Sequence, residues 1–189
     1  MIKSETDKKT FSEMWVIPSI QVFSGSVLLA LISQVAIPLP FTPVPLSLQT
    51  FTIFMLAMTL GSKKGTASVL TYLAQGTIGL PVFAGGLSNP AWIMGPRGGY
   101  LIGFALAAWV VGKLYESCSN KSLKNTLLIL FAGEAMILIP GALWLAAFVG
   151  YSNAFSLGVA PFLAGGALKI IAASLLIAPT QKVFKKLFG

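Results

Sequence analysis

The 189-residue sequence has no histidine, one cysteine (Cys118) and only five acidic residues. The lack of histidine excludes imidazole-based catalysis and imidazole metal sites, and a lone cysteine cannot form an intrachain disulfide. Charged residues make up 10% of the chain, compared with about 25% in typical soluble domains. With 56% apolar residues and a mean hydropathy of +0.84, the sequence predicts a protein whose surface faces lipid.

Motifs for nucleotide hydrolysis and for hydrolase chemistry are also missing. The sequence contains no GxxxxGK[ST] phosphate loop and no GxSxG motif, and a hydrolase built on a serine–lysine or carboxylate site would be unusual. We therefore expect no enzymatic activity, no cofactor and no bound metal. If the chain transports a solute, it must use energy from another protein or work downhill.

Hydropathy, proline and glycine divide the chain into six apolar segments. One crossing takes ~20 apolar residues, with ~17–25 as the usual range. The segments are 14–37, 46–60, 65–80, 99–115, 123–149 and 162–182. The sequence thus predicts an all-α integral membrane protein: a six-helix transmembrane domain over residues 14–189, preceded by a cytoplasmic tail over residues 1–13.

The basic residues test this topology independently. Eleven of the thirteen lie in the N-terminal tail, at the C-terminus or on alternate connections: Lys3, Lys8, Lys9, Lys63, Lys64, Lys113, Lys121, Lys124, Lys182, Lys185 and Lys186. The opposite connections, around 38–45, 81–98 and 150–161, contain Arg97 alone. By the positive-inside rule, both termini are cytoplasmic in a multi-pass protein of the plasma membrane. The net charge of +8 therefore reflects topology and does not indicate nucleic-acid binding.

Three ionisable residues lie away from the inner surface: Arg97, Glu134 and Lys169. Since a charge inside the membrane costs at least ~2.5–3.5 kcal/mol on insertion scales, each needs a partner or a wet cavity. Lys169 lines an outward-facing pocket, extends towards the outer surface or pairs with Glu134. Glu134 has a structural role, by protonation, by pairing with Lys169 or by contact with another subunit, or it is a proton-coupling acid.

The first outer connection is rich in proline. Pro38, Pro40, Pro43 and Pro45 impose stiff, extended backbone with few free donors. This segment is either a wall or lid over an outer pocket or a rigid link between helices. Directly after it, Gln49 and Thr50 place an amide and a hydroxyl on the first turns of the next helix.

The second outer connection has the composition of a binding loop. Glycines from Gly76 to Gly99 allow close backbone approach to a ligand, and Asn89, Trp92 and Tyr100 provide hydrogen bonds and flat apolar surface. Gly98 and Gly99 at a helix start, beside Arg97, favour an anion. The alternative is an ordinary re-entrant turn.

Four stretches resemble the BioY family, the substrate-binding (S) components of energy-coupling-factor (ECF) transporters for biotin. They are IPLPFTPVPLSLQT at 37–50, GLPVFAGG at 79–86, GPRGGYL at 95–101 and PFLAGGALK at 161–169. The resemblance implies a six-helix membrane protein that captures biotin from outside. It also implies association with a transmembrane coupling subunit and two ATP-binding-cassette ATPases. The alternative is a self-sufficient carrier, proton-linked or facilitated, for biotin or another small vitamin-like anion.

Together, residue chemistry and resemblance predict a set of biotin-binding residues. The urea needs donors and acceptors, the rings need flat apolar walls, and the carboxylate needs a cation. The set is Gln49, Thr50, Tyr72, Phe83, Gly85, Gly86, Asn89, Trp92, Arg97, Tyr100 and Lys169. Arg97 and Lys169 are the candidates for the carboxylate.

The resemblance further implies that small residues of the first helix, matching Val22, Ser26 and Ala30, face the coupling subunit. Small residues at this spacing also favour packing within the chain. The match is partial, because the family usually has alanine where Val22 stands. Two other departures concern the site: the family commonly has threonine at Arg97 and aspartate at Gly166.

Overall fold

A computed structural model describes residues 16–188 of the chain. The predicted cytoplasmic tail, residues 1–13, lies outside the described residues. Within these residues the fold has six α-helices, one small hairpin and a single 3-10 turn at Trp92–Met94. The helices and strands are α1 (Ile17–Ser33), β1 (Ala36–Ile37), β2 (Leu46–Ser47), α2 (Gln49–Thr77), α3 (Gly98–Ser117), α4 (Leu123–Val149), α5 (Tyr151–Gly158) and α6 (Ala160–Phe188).

The first helix is shorter than its apolar segment. Pro18 lies in the first turn of α1, where proline costs no hydrogen bond. After Ser33 the chain leaves the helix and forms β1, which pairs antiparallel with β2 so that Ala36 faces Ser47. The prolines between the two strands remove backbone donors, which keeps the hairpin short.

α2 contains two of the predicted segments, separated by a break at Gly61. Gly61 has φ 82° and ψ 174°, which is accessible to glycine and strained for other residues. The break allows the two halves of α2 to lie side by side. Gln49 Nε2 in the first half donates a hydrogen bond of 2.6 Å to the hydroxyl of Tyr72 in the second half, 23 residues later. The Glu116 carboxylate accepts 2.8 Å hydrogen bonds from the backbone N–H and hydroxyl of Ser62 and so holds the break against α3.

Glycines allow the helices to approach closely. A Cβ added at Gly103 would lie 2.8 Å from Ile137 Cα, and one at Gly65 would lie 2.9 Å from Ala57 Cα. Such small-residue contacts drive helix packing in membranes, where burial of apolar side chains from lipid gains little.

The third outer connection is helical, which the sequence analysis did not predict. Gly150 (φ 82°) ends α4 and starts α5. α5 then returns alongside α4, so that a Cβ on Gly158 would lie 2.9 Å from Leu145 and 3.7 Å from Ala142. α6 therefore starts near Ala142, about two turns before the C-terminal end of α4.

Two groups of polar contacts between elements lie at opposite ends of the bundle. At one end Lys64 Nζ donates to Gln21 (2.7 Å), Ser62 contacts Glu116, and Gln181 Nε2 donates to Met58 O (2.8 Å). At the other end Ser33 contacts Val82, Arg97 contacts Pro43, and Tyr100 contacts Gly158. Connections of the first group have the lysines, and those of the second group have the proline and glycine segments.

Length and hydropathy mark three stretches of the described chain as membrane spans: Gly98–Ser117, Leu123–Val149 and Tyr151–Lys186. α1 is a shorter apolar helix. Large apolar side chains point outward along these helices, for example Leu143 (64% exposed) and Leu168 (70%). The chain is therefore an α-helical membrane protein. The six crossings and the side of the termini remain predictions.

The single cysteine tests the predicted orientation. Cys118 lies on the connection between α3 and α4, at the lysine-rich end. In intact cells, a membrane-impermeant maleimide should leave Cys118 unmodified, and in inside-out vesicles it should modify it. The variant Cys118→Ser/Ser156→Cys, with its thiol on exposed α5, should show the reverse pattern. Modification of Cys118 in intact cells would contradict the orientation.

Candidate functional site

A cavity of about 380 Å³ lies among the proline-rich and glycine-rich connections and the adjoining parts of α2, α3, α4 and α6. Its volume is within the ~300–1,000 Å³ range of small-molecule sites, and most of its lining residues are apolar. Eight of the eleven predicted site residues line it: Gln49, Thr50, Phe83, Asn89, Trp92, Arg97, Tyr100 and Lys169.

The proline-rich segment forms one wall of the cavity. Pro43, Val44 and Pro45 line it directly. Arg97 Nε donates a 2.7 Å hydrogen bond to the carbonyl of Pro43 and so joins this segment to the start of α3. Of the two interpretations of the segment, the geometry favours the wall over a mere link.

Aromatic rings form a second wall. Phe83 packs edge-to-face against Trp92, with centroids 6.5 Å apart, and against Tyr72 at 5.6 Å. Trp92 Nε1 donates a 2.8 Å hydrogen bond to Thr77. Gly76 leaves room for the Phe83 ring, because a Cβ there would overlap it. The cavity thus has a flat apolar surface suited to a ring system.

Three predicted site residues do not line the cavity. Tyr72 is fully buried behind Phe83, where its hydroxyl accepts from Gln49. Gly85 (φ 79°) and Gly86 (φ 72°) form the turn of the loop, in which Phe83 and Leu87 exchange backbone hydrogen bonds. These three residues support the wall without facing the space that it encloses.

A chain of polar groups connects α6 to α2 along the cavity. Lys169 Nζ donates to the carbonyl of Ser47 at 3.3 Å. The Ser47 hydroxyl donates to Gln49 Oε1 at 2.9 Å, and Gln49 Nε2 donates to Tyr72. Gln49 is thereby held in one orientation, with its amide engaged at both ends.

Tyr100 connects α3 to the helices that follow. Its hydroxyl donates a 2.7 Å hydrogen bond to Gly158 O, and its ring lies 6.3 Å from that of Phe162. Gly141 provides the space for the ring, since a Cβ at this position would overlap it. Tyr100 therefore holds α5 and the start of α6 over the cavity.

The glycine pair at the start of α3 does not face the cavity, contrary to the expectation of an anion site there. Both glycines are buried against α4: a Cβ at Gly98 would lie 2.9 Å from Trp144 Nε1, and one at Gly99 would overlap the backbone of Pro140. Arg97, which directly precedes this pair, does line the cavity. Burial lowers the pKa of Arg97 from its ordinary value, yet its ordinary range is so high that it stays charged.

Glu134 and several apolar residues also line the cavity, although the sequence analysis did not include them in the site. Ile137 and Leu138 lie three and four residues after Glu134 on α4, which places them on the same helix face. Leu101 and Phe104 form the corresponding face of α3. This spacing around the membrane-embedded acid was the signal that could have identified them.

The three predicted coupling-subunit residues differ in exposure. Ser26 is fully buried, and its hydroxyl accepts a 3.3 Å hydrogen bond from Gln75 of α2. Ser26 therefore packs against α2 within the chain, and its predicted contact with a coupling subunit stays a prediction. Val22 and Ala30 are half-buried, and the exposed side of α1 has Phe23 (59% exposed) and Leu31 (65%).

Comparison with known proteins identifies the family. The model of the BioY family matches residues 6–186. The Thermotoga maritima "Biotin transporter BioY" is 37% identical over 165 residues, which are 86% of this chain and 96% of that protein. The Pyrococcus horikoshii "Probable biotin transporter BioY" is 42% identical over 121 residues, 64% of this chain and 70% of the relative.

A solved structure supports the same assignment. The crystal structure of the S-component for biotin from an ECF-type ABC transporter is similar to this chain, with a TM-score of 0.81 and 26% identity. The similarity covers 95% of this chain and all of the other. The chain therefore belongs to the BioY family, whose members are transporters and not enzymes.

Proposed function

We propose that this protein captures biotin at the outer face of the plasma membrane and mediates its uptake as the S component of an ECF transporter. The observation that carries the proposal is the cavity, with aromatic walls and two cations, in a member of the BioY family. Relatives covering most of the chain are biotin transporters by name, and the similar solved structure is a biotin S component.

Biotin matches the chemistry of the lining. Its fused rings and valerate chain are apolar, and Phe83, Trp92 and Leu101 line the cavity with surface of the same kind. Its carboxylate needs a cation, which Arg97 supplies near the outer connections. Only the Nε of that guanidinium has a hydrogen-bond partner among residues 16–188, so its terminal nitrogens are available to a ligand.

Energy has to come from other proteins under this proposal. The chain has no phosphate loop, so a transmembrane coupling subunit and two ATP-binding-cassette ATPases supply the work of release inward. The side of α1 that faces away from the helix bundle, with Phe23 and Leu31 exposed, is available to a coupling subunit. We propose this side as the contact surface in place of Ser26, which α2 covers.

One observation favours the second candidate, a self-sufficient proton-linked carrier. Glu134 is a carboxylate buried in the middle of a membrane helix and lining the cavity. Such acids mark proton pathways in many transporters. A carrier of this kind would need no ATPase.

Uptake of labelled biotin separates the two candidates. Cells that lack both biotin synthesis and ECF subunits should accumulate biotin only when this protein is expressed together with a coupling subunit and its ATPases. Collapse of the proton gradient, with ATP maintained, should leave that uptake unchanged. Gradient-dependent uptake by the protein alone would contradict the S-component assignment and favour the carrier.

A matched pair of ligands tests the assignment of the carboxylate to Arg97. Arg97→Gln should weaken biotin binding ~10- to 100-fold, because a hydrogen bond to a charged group contributes ~1.5–3 kcal/mol and 1.4 kcal/mol corresponds to tenfold. Biotinamide, which has no charge, should bind equally well to the wild type and the variant. Calorimetry on detergent-purified protein measures both.

The control for Arg97 is Arg97→Lys, which keeps the charge and loses the planar fork of donors. It should retain part of the preference for biotin over biotinamide. If Arg97→Gln still prefers biotin as strongly as the wild type does, the carboxylate lies elsewhere, and Lys169 is then the remaining candidate.

A further inference from the structure

Glu134 is a buried acid without a complete set of partners. Its side chain is 7% exposed, and Oε2 is buried with no hydrogen-bond partner among the described residues. A buried polar atom left unpaired is costly, so each case requires an explanation. Other atoms of Glu134 line the cavity, so a ligand in the cavity can supply a donor to this carboxylate after a small rotation of the side chain.

Gly166 on α6 creates the space for this carboxylate. A Cβ added at Gly166 would lie 2.6 Å from Glu134 Oε1 and 3.2 Å from its carboxyl carbon. Real Cβ atoms do not approach so closely, so any side chain at 166 would displace the acid. The carboxylate of α4 therefore occupies the volume that a side chain on α6 would otherwise fill.

Lys169 lies three residues further along α6 and also lines the cavity. It interacts electrostatically with Glu134, yet the two side chains do not form an ion pair within 4.0 Å. Among residues 16–188, the ammonium nitrogen of Lys169 has one hydrogen bond, the 3.3 Å contact with Ser47 O. An acceptor and a donor thus border the same space without forming an ion pair.

A urea group is complementary to this arrangement. Its carbonyl oxygen accepts from an ammonium while its N–H donates to a carboxylate, and a ligand carboxylate in the same place would be repelled by Glu134. Gly99 packs against Pro140 and Gly103 packs against Ile137, so Glu134 lies deeper along the α3–α4 pair than Arg97, which precedes α3. The acceptor and the guanidinium that would bind the two polar ends of an elongated ligand are thus at different depths.

Resting on the biotin function proposed above, we propose that Glu134 is a specificity-determining residue that accepts a hydrogen bond from the ureido N–H of biotin. Lys169 donates to the ureido carbonyl, and Gly166 keeps the place of the carboxylate open. The ring end of the ligand then lies deep in the cavity, and the valerate carboxylate lies outward at Arg97.

The test compares biotin with lipoate, which has a sulfur ring and a pentanoate carboxylate but no urea. Glu134→Gln should weaken biotin binding at least tenfold, because a charged acceptor is lost. It should leave lipoate binding, measured by competition, unchanged. Gly166→Ala should weaken biotin in the same way, while the matched control Gly165→Ala, whose Cβ would meet only the flexible side chain of Leu46, should not.

A second variant, in which the carboxylate is moved from α4 to α6, tests the role of Glu134 even if Glu134→Gln folds poorly. Glu134→Ala/Gly166→Asp removes the carboxylate from α4 and places one on α6 beside the vacated space. Biotin binding should be weak in Glu134→Ala and should recover at least tenfold in the double variant.

The outcomes separate this inference from the proposed function. Failure of the folded wild type to bind biotin would contradict the function itself. If the wild type binds biotin, three results would overturn the role of Glu134. They are an unchanged preference for biotin over lipoate in Glu134→Gln, equal loss of both ligands, and a folded double variant without recovery.

Discussion

Polar groups inside a membrane protein need partners within the chain, and this constraint decides where most polar residues of this protein lie. Lys64, Glu116 and Gln181 bind partners at the lysine-rich end, and Arg97 and Tyr100 do so at the other. Between these two ends, Glu134 and Lys169 are ionisable groups with incomplete hydrogen bonding among the described residues. A cavity beside both of them is where a ligand can complete the set.

Close helix approach provides the framework for this arrangement. Glycines on α2, α3 and α4 replace side chains where another backbone or ring passes, as Gly103 does for α4 and Gly141 does for Tyr100. Glycines also shape the cavity, since Gly76 leaves space for the ring of Phe83 and Gly166 leaves space for the carboxyl group of Glu134. Glycine thus serves both the packing of the helices and the shape of the cavity.

The sequence predicted those parts of the fold that depend on long apolar stretches. The bounds of α4 agree with its segment, and those of α3 agree within two residues. It also separated the second and third segments between residues 60 and 65, and the break at Gly61 lies there. It did not predict α5, whose eight residues lie outside the predicted spans.

The candidate site was predictable where composition was unusual. Proline and glycine connections with Asn89, Trp92 and Arg97 indicated the outer cavity, which these residues line. Gly98 and Gly99 showed the limit of this reasoning, because glycine allows both ligand approach and helix packing, and only the three-dimensional contacts distinguish the two. The proximity of Gly166 to Glu134 joins residues 32 positions apart on different helices, which no local pattern reports.

The most direct measurement is the experimental structure of the protein with bound biotin. The account predicts the ureido ring between Glu134 and Lys169, an N–H within hydrogen-bond distance of the Glu134 carboxylate, and the valerate carboxylate at Arg97. Biotin bound in the opposite direction, with its carboxylate at Lys169, would contradict the account, as would biotin bound outside this cavity.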